Sequence, residues 1–113
     1  MSGSLDITFP PDGQIDGVYQ SSSANTPSIQ TSATALASNA NRMGWQIQNV
    51  GINPLFILLG DGATTSVFHA VLKGGSGASD GLGGSISQMN GAVYTGKITV
   101  AGTTPQYVVT EIA

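Results

Sequence analysis

A chain of 113 residues without cysteine is long enough for one small domain, but neither disulfides nor thiolate metal sites can stabilise it. Charged residues make up 8% of the chain and the net charge is -3, which excludes a basic surface for direct nucleic-acid binding. No apolar run approaches the roughly 20 residues that span a bilayer, so no membrane partner is expected, and the low charge favours a place in an assembly over a free enzyme.

Residues 1–27 are predicted to form an extended N-terminal arm. Short apolar spots alternate there with turn signals such as residues 10–13, Pro-Pro-Asp-Gly, before the segment ends in serines, a pattern typical of extended chain. Ile7, Phe9 and Tyr19 are the candidate anchors that bind a partner surface. A disordered terminus is the alternative interpretation.

Residues 28–113 are predicted to form an all-β domain. Six segments have the pattern of strands and cover residues 28–36, 43–48, 55–59, 67–72, 91–100 and 106–112. In the second segment, Trp45 and Ile47 alternate with polar residues, which predicts that Trp45 points into the core. Residues 55–59 are apolar throughout, which predicts a strand buried on both faces. Six strands at this spacing favour a small antiparallel β-sandwich or a barrel.

Residues 73–87 are rich in glycine and serine, which predicts a long loop between two strands. Loops of this length in small domains are commonly functional or disordered. Glycine also allows a backbone to approach another protein closely. The loop is therefore either a contact surface or a mobile linker.

The chain lacks the residue patterns of an enzyme or a cofactor site. His69 is the only histidine, so one chain cannot build a histidine relay or a two-histidine metal site, and a structural role within its predicted strand is expected. Residues 91–98 imitate a phosphate-binding loop, but Ile98 occupies the position that needs Ser or Thr. Asp61 and Asp80 are weak calcium candidates, since Asp-Gly turns account for both. We expect no catalysis, no cofactor and no metal.

Three residues are predicted to have structural roles. Arg42 is the only arginine, and its guanidinium can form a forked pair with Glu111 or with a carboxylate of a partner. Trp45 is expected at the centre of the core, with a platform that stacks on a ligand as the alternative.

Glycine, proline and aromatic landmarks recur from Arg42 onwards. They are Arg42-x-x-Trp45-x-Ile47-Gln48-Asn49-x-Gly51, Pro54-Leu55-Phe56, Leu59-Gly60, Phe68, Leu72-Lys73-Gly74-Gly75, Asp80-Gly81-x-Gly83-Gly84 and Tyr94-Thr95-Gly96-x-Ile98-x-Val100-x-Gly102. This pattern resembles small β-sandwich virion proteins of tailed bacteriophages, particularly head decoration or cement proteins. The resemblance covers about two thirds of the chain and leaves the arm unmatched.

The resemblance implies a jelly-roll-like domain on the outside of a capsid, where a homotrimer ties neighbouring major capsid subunits together. Such a protein is made in the cytoplasm of the host bacterium and resides on the exterior of the virion. One alternative is a tail, baseplate or head-fibre-base module of the virion. Another is a carbohydrate-binding module in which Trp45 and Tyr94 stack on sugar rings.

Overall fold

The computed structural model describes residues 27–113. These residues form eight strands and no helix: β1 Ile29–Gln30, β2 Thr34–Leu36, β3 Gly44–Asn49, β4 Leu55–Leu59, β5 Ala70–Leu72, β6 Ser85–Met89, β7 Ile98–Ala101 and β8 Tyr107–Ile112. The predicted arm, with its anchors Ile7, Phe9 and Tyr19, lies outside the described residues except for its last position.

The strand pairing follows the plan of one long, folded hairpin. β1 pairs with β8, β2 with β7, β3 with β6 and β4 with β5, all antiparallel. Rolling this hairpin up places β3 beside β8 and β4 beside β7. Two four-stranded sheets result: sheet A, in the order β1-β8-β3-β6, and sheet B, in the order β2-β7-β4-β5. Eight strands so connected in two packed sheets form a jelly roll, and the predicted all-β sandwich class is confirmed.

The core lies between the two sheets and is built from alternate strand positions, as the period of two requires. Its buried hydrophobic side chains are Leu36, Trp45, Ile47, Leu55, Ile57, Leu72, Ile98, Val100, Tyr107 and Val109. The side chain of Trp45 is fully buried, as its alternation pattern predicts. Tyr107 is also fully buried, and its hydroxyl donates a 2.6 Å hydrogen bond to the carbonyl of Ser32. This bond joins sheet A to the β1–β2 connection.

Three predicted strands are shorter or divided in the structure. Residues 28–36 form β1 in sheet A and β2 in sheet B, because the chain crosses between the sheets after Gln30. Residues 67–69 belong to the β4–β5 loop, and residues 91–97 belong to the β6–β7 loop. Local alternation indicates which faces residues occupy, but it does not indicate where a chain leaves one sheet for the other.

The predicted loop over residues 73–87 ends earlier than expected, because Ser85–Met89 forms β6. This strand runs antiparallel to β3 over its whole length. Just before it, the N–H of Asn49 donates to the carbonyl of Gly84 at 2.9 Å. Buried backbone groups need hydrogen-bond partners. The backbone groups of β3 that point away from β8 find these partners in the serine-rich segment, which therefore forms a strand.

The prediction that residues 55–59 are buried on both faces is wrong for the single chain. Leu55 and Ile57 point inward and are buried, whereas Phe56 and Leu58 point outward and are only half-buried. The outer face of sheet B therefore carries apolar side chains that the fold itself covers only in part.

Candidate interaction surface

The outer face of sheet B is apolar where β4 pairs with β5. Phe56 and Leu58 occupy the outward positions of β4. Val71 lies directly opposite Phe56 in the antiparallel pair, so both side chains share one face. Val71 is 51% exposed. Antiparallel sheets that face water usually carry polar side chains on that side, and this part of sheet B departs from that rule.

The β4–β5 loop extends the apolar area. The ring of Phe68 meets the ring of Phe56 edge to face, with centroids 4.9 Å apart. Phe68 is 40% and its neighbour Val67 is 52% exposed. Backbone hydrogen bonds of 3.0 and 3.3 Å between Thr64 and Val67 close the loop locally, so these two side chains are presented by an ordered turn. We call Phe56, Leu58, Val67, Phe68 and Val71 the apolar face.

Polar groups beside the apolar face have partners within the fold. The hydroxyl of Thr99 donates to the carbonyl of Gly60 at 2.7 Å and accepts from the N–H of Ala63 at 3.1 Å. His69 lies in the loop rather than in the predicted strand. Its Nδ1 accepts a 3.0 Å hydrogen bond from the N–H of Leu59, an arrangement that needs the Nδ1 lone pair. The exposed imidazole therefore orients the loop.

Charged side chains avoid the outer faces of both sheets. Residues 27–113 contain six of them: Arg42, Asp61, Lys73, Asp80, Lys97 and Glu111. Five lie in loops or connections, and the sixth, Glu111, shares the inward alternation of its strand with Trp45 as its cross-strand neighbour. These charges balance to zero, so the net charge of -3 comes from Asp6, Asp12 and Asp16.

Arg42 joins three parts of the fold at one end of the sandwich. Its Nε donates to Glu111 Oε2 at 2.8 Å. Nη1 donates to the carbonyls of Tyr94 and Gly96, both at 2.9 Å, and Nη2 donates to the carbonyl of Ala37. The pair with Glu111 uses a single guanidinium nitrogen instead of the predicted fork. Because the arginine side chain is completely buried, its donors need partners inside the fold, and loop carbonyls accept three of the remaining hydrogen bonds.

Trp45 is not available to stack on a ligand. Its indole has no exposed surface, and its Nε1–H donates to Gln88 Oε1 at 2.9 Å. The same oxygen accepts the N–H of Tyr94 at 2.9 Å. A ring that stacks on a sugar has to present its face to solvent, so the stacking role considered for Trp45 is wrong. The role of Gln88 could not be predicted from the sequence, since a glutamine in a serine-rich segment carries no distinctive signal.

Asn49 holds the opposite end of the sandwich together, a role that was not predicted from the sequence. Its Nδ2 donates to the carbonyls of Asn53, Leu72 and Lys73 at 2.8, 3.1 and 3.2 Å. Its Oδ1 accepts the N–H of Gly51 at 2.9 Å. The last contact is an Asx turn, which the Asn-x-Gly spacing could have indicated. The bonds to Leu72 and Lys73 need the end of β5 to be nearby.

The glycine-rich loop is an ordered part of this same end. Asp80 accepts N–H groups from Ser76, Gly77 and Leu82 at 2.8, 2.9 and 2.9 Å. These backbone hydrogen bonds, that of Leu82 foremost, hold the pKa of Asp80 below its ordinary value of 3.8. The carboxylate oxygens thus point at amide donors. Asp61, the other calcium candidate, lies 3.2 Å from Lys97 Nζ.

The described residues contain a cleft and no cluster of metal-ligating side chains. No group of three His, Asp or Glu side chains that could hold a metal occurs among residues 27–113, nor does a helix that could cross a membrane. A cleft of about 280 Å³ is lined by Arg42, Met43, Asn90, Gly91 and Val93. Arg42 makes four hydrogen bonds there, one to Glu111 and three to carbonyls.

Comparison of the chain with protein-family models, with curated proteins and with solved structures finds no match in any of the three. Its function therefore has to be inferred from its own residues and surfaces.

Proposed function

We propose that the protein is a structural virion protein that decorates a bacteriophage capsid and binds its outer surface between major capsid subunits. The observation that carries this proposal is the apolar face of sheet B. Jelly rolls serve many functions, so the fold alone does not indicate the function of this protein. The inference therefore depends on its surface. The resemblance of the landmark residues to head decoration proteins supplies the partner, the assembled capsid shell.

The apolar face has the chemistry of a permanent contact. Phe68 and Val71 are 40% and 51% exposed on a face without charged side chains. Exposed apolar areas with polar surroundings mark sites of protein association, and aromatic side chains are enriched at the centres of such contacts. Burying this face against the shell would complete the two-sided burial that the run Leu55–Leu59 predicts.

Decoration would stabilise the shell by mass action. A protein that binds the assembled shell and not its separated subunits lowers the free energy of the shell at each occupied site. The gain is RT ln(1 + [L]/Kd), about 2.7 kcal/mol at a free concentration one hundred times Kd. No catalytic group is required for this effect.

The arm contributes separately to this proposal. Ile7, Phe9 and Tyr19 remain the proposed anchors, and the three aspartates among residues 1–26 would favour a basic strip on the shell. A segment that orders on binding adds contact area at an entropic cost. Alanine at all three anchor positions is therefore expected to weaken shell binding without changing the thermal unfolding of the sandwich.

The decisive experiment is co-sedimentation of the full-length protein with empty shells assembled from the major capsid protein of the same bacteriophage. Saturable binding is expected for the natural sequence. The double variant Phe68→Ser, Val71→Ser removes two apolar contacts of about 1.5 kcal/mol each, which raises Kd by about 100-fold.

Leu82→Ser is the matched control, because Leu82 is 63% exposed but lies in the glycine-rich loop and is not part of the apolar face. Its Kd should equal that of the natural sequence, and circular dichroism should show both variants folded. Absence of binding to shells, or equal binding by all three proteins, would contradict the proposal.

A further inference from the structure

One strand edge of the sandwich is unusually open. Sheet A ends at β1 and β6, and sheet B ends at β2 and β5. Edge strands present unpaired backbone groups, and natural proteins protect them by shortness, by bulges, by proline or by charge. The four edges can therefore be compared by these devices.

Three of the edges have such protection. β1 has two residues and follows Pro27. β2 has three residues and a register shift against β7. β5 has three residues and is followed by Lys73. β6 is the exception, with five residues, an unbroken register against β3 and no charged residue or proline.

The backbone direction of β6 follows from its hydrogen bonds. The N–H of Asn49 points toward β6, where it bonds to Gly84, so Trp45 and Ile47 also direct their backbone groups there. Their partners in β6 are Gln88 and Ile86, which face β3. By alternation, the other three residues of β6, Ser85, Ser87 and Met89, direct their N–H and C=O groups away from the sheet. No described residue bonds to those groups.

We propose that this edge pairs with the same edge of a second copy of the chain, antiparallel about a two-fold axis at Ser87. Ser85 and Met89 lie two residues on either side of Ser87. In the dimer, Ser87 therefore lies opposite Ser87 of the second copy, and Ser85 lies opposite Met89 of the second copy. Each meeting pair exchanges two hydrogen bonds, about six in all. The two sheets A then form one continuous eight-stranded sheet, and both open edges disappear.

A second copy fits this edge because the edge is complementary to itself. An uncharged strand brings no like charges together when it pairs with its copy, whereas like charges directly opposite each other are destabilising. The side chains of Ser85 and Ser87 are small and exposed, so they leave the approach to the backbone open. An isologous contact of this kind closes on itself and yields a discrete dimer.

The first test is the solution mass of the full-length protein by size exclusion with light scattering. The expected mass is twice 11.4 kDa. Ser87→Pro removes two of the intermolecular hydrogen bonds, yet it leaves the monomer intact because that N–H has no partner in the fold. Each lost hydrogen bond weakens the dimer by a factor of about 5, so the dimer dissociation constant should rise by about 25-fold.

The second test uses charge at the two-fold axis. Ser87→Lys and Ser87→Glu should each be monomeric, because two like charges then face each other. An equimolar mixture of these two variants should recover the dimer mass, since Lys and Glu then lie opposite. Gln46→Lys is the matched control, because Gln46 is exposed on the neighbouring strand opposite Ser87. It should remain dimeric.

A monomer at millimolar concentration, or the trimer that the resemblance implies, would overturn the proposal. So would a dimer that Ser87→Pro leaves unchanged. This inference depends on the backbone of β6 and not on the apolar face, so the two proposals fail separately. If the protein does not bind shells, its dimer mass can still be measured. If the protein is not a dimer, the effect of the double variant Phe68→Ser, Val71→Ser on shell binding can still be measured.

Discussion

At the scale of single residues, Arg42 illustrates how a buried cation is accommodated. Its side chain is fully buried, which is costly unless every donor finds an acceptor. Glu111 supplies the opposite charge and three loop carbonyls supply the remaining acceptors. The residue therefore determines how the loops at its end of the sandwich lie relative to β8.

Arg42→Lys is expected to lower the free energy of unfolding by about 3 kcal/mol. An ammonium group keeps the charge but cannot reach the guanidinium acceptors together. Urea denaturation followed by Trp45 fluorescence measures the loss. Lys97→Ala is the comparison, because the pair of Lys97 with Asp61 is exposed and should contribute less than about 1 kcal/mol. Similar losses for both variants would show that the carbonyl contacts contribute little.

Asp80 predicts a pH dependence in the glycine-rich loop. Its pKa is lower in the folded protein than the ordinary 3.8, because amide donors stabilise the carboxylate. The stabilisation is therefore present above that ordinary value and is lost as the pH falls through the lower folded pKa. The amide resonances of Ser76, Gly77 and Leu82 should titrate with a midpoint below 3.8. A midpoint at or above this value would contradict the assignment, and Asp80→Asn should abolish the titration.

At the scale of elements, the glycine-rich loop is shaped by close backbone contacts. A Cβ on Gly83 would overlap the carbonyl oxygen of Asn49, whereas one on Gly77 would meet no atom within 4 Å. The loop also bonds to the β3–β4 turn, through Gly75 N–H to Gly51 at 2.9 Å and Ser79 N–H to Val50 at 2.7 Å. Its composition resembles that of a flexible linker, but its contacts order it.

Gly83→Ala is therefore expected to destabilise the protein by about 1–3 kcal/mol, the usual range for steric overlap in a packed site. Gly77→Ala in the same loop should have little effect, because its Cβ would lie in open space. Thermal unfolding of the two variants provides the measurement. Equal melting temperatures would indicate that the loop backbone moves freely away from β3.

The strands show what can be inferred from local pattern. The segment around Trp45 was predicted with the correct inward face, because alternation reports burial directly. β6 was missed, because serine and glutamine at its positions give no apolar signal and its pairing depends on β3. Residues 67–69 were predicted as strand, because Val-Phe-His is apolar enough, yet they project from a loop.

At the scale of the whole molecule, the arrangement separates two kinds of surface. The apolar face lies on sheet B and is proposed to meet the capsid shell, while the β6 edge lies on sheet A and is proposed to meet a second copy. The sandwich is neutral, and its neutral faces suit contacts that persist. The acidic residues Asp6, Asp12 and Asp16 lie outside this described part.

The sequence alone was enough to predict four features: the all-β class, the absence of a basic surface, the inward position of Trp45 and the availability of Arg42 for Glu111. These depend on composition and on the period of two, which are local properties. Only the tertiary structure decided four other features: the strand order of the two sheets, the hydrogen bonds of Asn49 at one end of the sandwich, the exposed apolar face and the open β6 edge. Each of them depends on which distant segments become neighbours when the hairpin rolls up, and strand alternation specifies faces but not neighbours.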